Sequence, residues 1–255
     1  MLDNSIILKT PPEIKKMEEG GKKLANVKKQ LMLKVGEGVS AAEIEDFADR
    51  LIRKEGGEPS FKMVPGYHWA TCVNVNEGIV HGIPKKEIVF KKGDIISVDL
   101  GIKYQGFHTD TSFSVAISPT KEVKKFLRAG EEALQAAIKK ARPGNRIYDI
   151  SEAIEKTLKK YDLNPVKVLV GHGIGRDLHE APQIPGFTKN KREQTPKIEE
   201  GAVFAIEVIY TKGSPKISLD EDGWTIKAKD GKITGLFEET VAITSNGPIV
   251  LTKVD

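Results

Sequence analysis

Four carboxylates stand in stretches of this sequence that alternate like strands. Asp99 and Asp110 lie in GDIISVDLGIKYQGFHTDTSFSV (residues 93–115), Glu207 in GAVFAIEV (201–208) and Glu238 in TGLFEETVAIT (234–244). Gathered around one of the five histidines, they make an oxygen-rich site for a divalent cation. Such a donor set suits Mn, Fe(II), Co or Zn more than thiolate-loving metals. Four carboxylates exceed what one ion usually requires. They suit two ions roughly 3.5–4 Å apart that share carboxylates and a hydroxide.

The first pair rests on a hairpin. Apolar and β-prone runs flank Lys103-Tyr104-Gln105-Gly106, which has turn composition. With Tyr104-Gln105 as the loop, Asp99 sits directly across from Asp110. Opposed side chains have Cβ atoms about 4.5–5.5 Å apart, and like charges there repel. A bound cation would compensate. A three-residue loop closed by Gly106 would instead send the two aspartates to opposite faces, and even on one face the pair would also read as two polar residues on the wet side of a hairpin.

The elements that would carry these side chains repeat. Thr10-Pro11-Pro12 opens a helix in which Ile14, Met17, Leu24, Val27 and Leu31 recur at helical spacing, and Gly36-Glu37-Gly38 stops it. The lysines between them (15, 16, 22, 23, 28, 29) read as a solvated face. Ser40-Ala41-Ala42-Glu43 is a capping box for a second helix carrying Ile44, Phe47, Ala48, Leu51 and Ile52. After the hairpin the same grammar returns: Pro119-Thr120, then Val123, Phe126, Gly130, Leu134 and Ile138, a stop at Arg142-Pro143-Gly144, and a helix carrying Ile150, Ile154 and Leu158. Overlaid, Ile14 falls on Val123, Met17 on Phe126 and Gly21 on Gly130. The strand ending at Asp99 falls on the strand ending at Glu207. One face is bulky in both (Ile96, Val98, Leu100; Phe204, Ile206, Val208), and the other carries a small residue before the carboxylate (Ser97, Ala205). This predicts an α+β fold of two related halves, about 10–118 and 119–250, packed as a single domain over 1–255, with the carboxylates converging at its pseudo-symmetric centre. Asp230-Gly231 supplies a hairpin turn before the return strand Thr234–Thr244.

Composition narrows the class. Of 255 residues, 39% are hydrophobic and 30% charged, as in a soluble globular protein. A net charge of +4 gives no argument for a nucleic-acid site. Cys72 is the single cysteine, so an internal disulfide is excluded and a reducing compartment fits. MLDNSIILKT lacks the features of a signal peptide, and no stretch reads as a membrane span; the expectation is cytoplasmic. Serine-hydrolase and zincin signatures (GxSxG, HExxH) are absent. Cys72 has no sequence neighbour to lower its pKa and reads as a packing residue. His172 and His179 lie in VGHGIGRDLHEAP (170–182) after an expected strand Val166–Val170. Glycines 171, 173 and 175 there allow sharp turning and close approach. His81 follows an expected strand Cys72–Val80. His68 and His108 read as ordinary surface or edge residues.

The ordered set HGIP (81–84), Asp99, FHTDT (107–111), GHGIGRDLHE (171–180), the strand ending at Glu207, and Phe237-Glu238 resembles the type I methionine aminopeptidases over nearly the whole chain. The resemblance implies the pita-bread fold and a dinuclear centre, in which Asp110 and Glu238 bridge two divalent ions, Asp99 binds one, and His172 and Glu207 bind the other. It further implies that a metal-bridging hydroxide removes the initiator methionine from chains with a small second residue. Glu207 would shuttle the proton, His179 stabilise the oxyanion and His81 contact the substrate backbone. Tyr67, Cys72, Leu178 and Trp224 would wall the methionine pocket, although core packing alone would also account for Leu178 and Trp224. The implied partners are nascent chains with N-terminal Met and, transiently, the ribosome, with the loop 189–192 as a candidate contact, although an ordinary solvated loop would account for it better. The implied assembly is a monomer.

Three positions depart from the family pattern: Val208 where proline is usual, which should alter the strand end; Glu239 where bacterial members commonly have histidine, which could change metal preference or pH optimum; and Leu178 in place of phenylalanine, which would loosen the pocket. Two other readings compete: an Xaa-Pro peptidase of the same fold, and a non-catalytic pita-bread peptide-binding module.

Overall fold

The computed structural model describes residues 5–254; Met1 to Asn4 of the N-terminal stretch, and Asp255, lie outside the described residues. Helices α1 (Pro11–Lys34) and α2 (Ala41–Lys54) precede strands β1 (Glu58–Pro59), β2 (Thr71–Val75), β3 (Gly78–Val80), β4 (Ile95–Tyr104) and β5 (Phe107–Ala116). Helices α3 (Lys121–Lys140) and α4 (Ile147–Lys160) precede β6 (Asn164–Pro165), β7 (Val170–Gly173), β8 (Glu180–Pro185) and β9 (Val203–Thr211). The chain ends with β10 (Ile217–Leu219), β11 (Ile226–Ala228), β12 (Thr234–Thr244) and β13 (Gly247–Val250). The capping box forms as read: Ser40 N–H donates to Glu43 Oε2 at 2.8 Å, and Glu43 N–H donates to Ser40 Oγ at 3.3 Å.

Ten strands form one sheet whose main path is β1-β4-β5-β12-β9-β7-β8. The bulky faces are where alternation put them. Ile96, Val98 and Leu100 of β4 pack in a core with Leu24, Leu31, Ile44 and Ile52 of α1 and α2. Phe204, Ile206 and Val208 of β9 pack with Leu134, Ile138, Ile150 and Ile154 of α3 and α4. The overlaid glycines share a packing role. A Cβ on Gly21 would lie 2.4 Å from the Leu251 carbonyl oxygen, and one on Gly130 would lie 2.6 Å from Phe237 and Tyr210 ring atoms. Helix backbone therefore approaches its neighbour more closely than a side chain permits in both halves. Val208 lies within β9 and is fully buried, so its effect falls on the strand's core face rather than on a strand end.

The halves join where β5 meets β12. Ser112 faces Glu238 there, and Thr111 faces Glu239. Side-chain hydroxyls stitch the seam on both sides of these pairs. Thr240 Oγ1 accepts from Asp110 N–H (2.8 Å) and donates to Asp110 O (2.7 Å); Ser114 Oγ accepts from Leu236 N–H (2.9 Å) and donates to Leu236 O (2.8 Å).

Four expectations need correction. The hairpin loop is Gln105-Gly106, since Tyr104 pairs with Phe107. Both loop residues take positive φ (49° and 82°), the type I′ geometry that matches strand twist. Asp99 therefore faces Ser112, and Asp110 faces Gly101. The change is an even number of residues, so the aspartates keep a common face but stand diagonally. Residues 72–80 are two strands, because Asn76 (φ 53°) turns the chain. The strand expected at 166–170 begins at Val170 and runs through His172. Finally, the Asp230-Gly231 turn joins strands of different sheets: β11 pairs with β10 and β3, whereas β12 lies in the main sheet.

Candidate metal centre and substrate cavity

The strand registers place the carboxylates in line. Cys72 faces Asp99, Asp99 faces Ser112, Ser112 faces Glu238, and Glu238 faces Glu207. One row of side chains thus crosses β2, β4, β5, β12 and β9. Asp110 stands two residues from Ser112 on β5. His172 of β7 pairs with Ala205, two residues before Glu207 on β9. Strand periodicity puts these on the same face, one step along. Ligand atoms of Asp110, His172 and Glu238 lie within 4.8 Å of one another.

Close strand approach brings His172 in. A Cβ on Gly171 would sit 2.6 Å from Ala205 O, and one on Gly173 would sit 2.1 Å from Ala181 O. These glycines are strand residues that permit contact, not turn formers; neither takes a positive φ. His172 Nδ1 lies 2.9 Å from Gly173 O. A carbonyl can only accept, so Nδ1 carries the proton and Nε2 keeps its lone pair. That is the tautomer of a metal ligand fixed by its outer hydrogen bond.

The electrostatics describe a site short of positive charge. Burial, and then the neighbouring carboxylates, push Asp110 and Glu238 well above the usual range. Burial and Asp99 do the same to Glu207. Burial raises Asp99 to about 7, against opposing hydrogen bonds from Glu238, Leu100 and Asp110. No lysine or arginine among the described residues forms an ion pair with any of these four. Among the described residues, one Asp99 oxygen (Oδ1) and Ser112 Oγ are buried without a hydrogen-bond partner. Oxygen donors left this way, beside an imidazole lone pair, fit divalent ions well. His172 itself is held neutral, its pKa lowered to about 3 by burial and by His179.

Above the row lies a cavity of about 320 Å³ whose lining includes all eleven residues singled out from the sequence: Tyr67, Cys72, His81, Asp99, Asp110, His172, Leu178, His179, Glu207, Trp224 and Glu238. Tyr67 and Trp224 rings meet edge to face at 5.1 Å, and His172 and His179 at 4.5 Å. Tyr67 Oη donates toward Thr71 O at 2.9 Å and lies 3.2 Å from Cys72 Sγ. Burial drives the Cys72 thiol up, as expected of a packing cysteine. His81 sits exposed at the rim in a left-handed conformation (φ 57°), with its pKa lowered by desolvation and by His179. Asp222 accepts from the backbone N–H groups of Trp224 and Thr225, and Thr225 Oγ1 accepts from Ile83 N–H. The turn that presents Trp224 is thereby tied to the HGIP segment. The sequence reading missed Phe61, Val80 and Ile209, which complete the apolar walls. As apolar residues, two in three-residue elements and Ile209 within β9, they carry no signal of chemistry.

The structure revises three further expectations. His108 is not a surface residue; it is 4% exposed, its Nδ1 lies 2.9 Å from Ser60 Oγ, and burial lowers its pKa to about 4. His68, by contrast, is exposed as expected. Lys28 leaves the solvated face of α1, is 6% exposed, and pairs with Glu239 Oε1 at 2.7 Å. Glu239 therefore faces away from the carboxylate row and adds no donor to it. In the loop 189–192, Arg192 is engaged with Asp149 at 2.7 Å.

The model of metallopeptidase family M24 matches residues 15–245. The chain belongs to this family. It is 39% identical to methionine aminopeptidase 1 of Bacillus subtilis, over 98% of this chain and 100% of that protein. It is 37% identical to the methionine aminopeptidase of Aquifex aeolicus, with 98% and 100% covered. The crystal structure of the Thermotoga maritima methionine aminopeptidase superposes with a TM-score of 0.94 at 39% identity, over 98% of this chain and 100% of that one. Prolidase from Pyrococcus furiosus shares the fold: TM-score 0.78 at 23% identity, over 98% of this chain and 66% of that chain. The α+β pita-bread architecture is thus the family's.

Proposed function

We propose that this chain is a methionyl aminopeptidase, a metal-dependent hydrolase that removes N-terminal methionine from peptides and nascent proteins with a small second residue. One observation carries this reading: the Asp99–Glu238–Glu207 row, with Asp110 and His172 beside it, floors a cavity walled by Tyr67, Cys72, Leu178 and Trp224. Full-length identity to methionine aminopeptidases supports the substrate.

Asp99, Asp110, His172, Glu207 and Glu238 would hold two divalent ions, drawn from Co, Mn, Fe(II) and Zn. Bound there, such ions lower the pKa of water to near neutrality and polarise a carbonyl. The chain's own groups do the rest. Tyr67, Cys72, Leu178 and Trp224 receive the thioether side chain and exclude water from it. Burial keeps His179 neutral near pH 7, so a ring N–H can donate to the oxygen that gains charge at the scissile carbonyl. Glu207 can take a proton on a carboxylate oxygen and return it to the leaving amine. His81, at the rim, contacts the substrate backbone.

The whole chain works as one catalytic domain, a monomer in the cytoplasm that meets nascent chains transiently at the ribosome. Among the described residues no helix is long and apolar enough to cross a membrane. The test is to chelate the protein, restore Mn or Co, and assay Met-Ala-Ser and Ala-Pro-Ala. Metal-dependent methionine release from the first alone is expected. Cleavage of the second would move the chain to the Xaa-Pro peptidases. Inertness toward both, with no metal uptake, would favour a binding module.

A further inference from the structure

A second cavity, of about 400 Å³, adjoins the first. Val168 and Val170 line both, so the two share a lip. The β7–β8 register shows that they lie on one face. His172 pairs with Gln183, and Val170 with Pro185. Directly opposed residues share a face, so Gln183 and Pro185 continue the surface that carries His172 outward to the edge of the sheet. Both line the second cavity.

The chemistry of this trough differs from that of the metal centre. No carboxylate lines it, and amides do: Gln183, Asn190 and Gln194. Gln183 and Asn190 are exposed, and among the described residues neither side-chain amide is engaged in a hydrogen bond within the protein. An amide side chain offers an acceptor oxygen and two N–H donors, which is the complement of a peptide main chain. The edge strand supplies less of that complement itself. Pro182 and Pro185 stand at positions of opposite parity, so one of the two removes a backbone donor from the free edge, which weakens pairing by strand addition. Val168, 62% exposed, adds an apolar step between the cavities.

We propose that this trough binds the main chain of the substrate beyond its second residue, largely irrespective of sequence. The proposal rests on the aminopeptidase reading. A tripeptide fills only the carboxylate-floored cavity. A longer chain, advancing about 3.3 Å per residue when extended, crosses the Val168–Val170 lip and engages Gln183 and Asn190.

The test compares Met-Ala-Ser with the same sequence extended by about five glycine and serine residues, in the metal-loaded wild type and in the double variant Gln183→Ala, Asn190→Ala. In the wild type the longer peptide should have a kcat/KM about tenfold higher, through KM, the worth of roughly two net hydrogen bonds. The double variant should lose that gain and keep wild-type turnover of the tripeptide, which also reports that it is folded. Equal kcat/KM for both lengths in the wild type, or a length gain that survives in the variant, would overturn the trough. A second readout is independent of turnover: binding of the labelled, Ala-led product of the long peptide to chelated protein, by fluorescence anisotropy. Weaker binding to the variant supports the trough, and equal binding overturns it. Failure to release methionine from the tripeptide would instead refute the aminopeptidase reading, while the anisotropy would still test the trough.

Discussion

Glu238 and Glu239 are adjacent on β12 and occupy opposite electrostatic worlds. Glu238 is 3% exposed and faces Asp110, Asp99 and Glu207, each of which raises its pKa further after burial has done so. Glu239 faces α1, where Lys28 Nζ lies 2.7 Å away and also donates to Thr111 Oγ1 at 2.9 Å; Thr252 Oγ1 donates to Glu239 Oε2. Glu238 is buried and Glu239 is largely covered on the same strand, yet among the described residues only Glu239 has a cation of the protein's own. A buried charge is costly unless paired. The face that supplies its own ammonium is structural, and the face that does not carries the proposed metal ligands. The comparison also shows why an extra carboxylate next to Glu238 does not enlarge the metal site: strand alternation turns it to the other side.

The largest test of this contrast removes a donor from the cation-seeking face. Asp99→Ala should reduce kcat/KM by more than the ~100-fold typical of losing an outer-shell partner, and leave the chelated protein folded. Turnover close to wild type would remove Asp99 from the site. On the self-paired face, Lys28→Met should destabilise the protein by about 3–5 kcal/mol in denaturant unfolding, because it strands a buried carboxylate. Adding Glu239→Leu should recover most of the loss. A Lys28→Met protein as stable as wild type would mean that Glu239 does not need its partner.

A smaller effect follows from pH. In chelated protein the Asp99 carboxyl titrates near 7, above its unfolded value. The folded state then holds more protons than the unfolded state between the two values. Stability from this group is present below the usual carboxylate range and is lost as pH rises through about 7. His108 and His172, with lowered pKa values, act the opposite way, losing stability as pH falls from the unfolded histidine value toward about 4 and about 3. The difference between Asp99→Asn and wild type isolates the carboxylate. The Tm of the variant should exceed that of wild type on the order of 2–4 °C at pH 8, and the gap should narrow as pH falls and close only below about pH 4. Added Mn should raise the wild-type Tm more than that of the variant; a gap independent of pH would contradict the assignment. Least of all, Lys156→Ala breaks an exposed i,i+4 pair with Glu152 and should leave the Tm unchanged.

Much of this was legible in the residues because it depends on local periods. The capping box at Ser40–Glu43 formed, and the alternation in β4 and β9 put Ile96 and Phe204 in the cores and Asp99 and Glu207 on the open face. The repeat foresaw matching glycines at 21 and 130, although the clash each avoids involves residues far along the chain. What failed was nonlocal or hung on single dihedrals. Gln105 could adopt positive φ beside Gly106, which moved the hairpin loop by one residue and set Asp99 opposite Ser112. His108 reads as an edge residue until Ser60 covers it.

The sequence by itself determined which side chains could do chemistry, which face of each strand they share and how many helices cover the other face. Strand and helix periods are properties of neighbouring residues. The tertiary structure alone decided which strands lie side by side at the β5–β12 seam, that Lys28 meets Glu239 across 211 positions, and that among the described residues no such cation meets Glu238. A charge's partner is set by where the fold brings distant residues, and the cost of burying that charge depends on the partner.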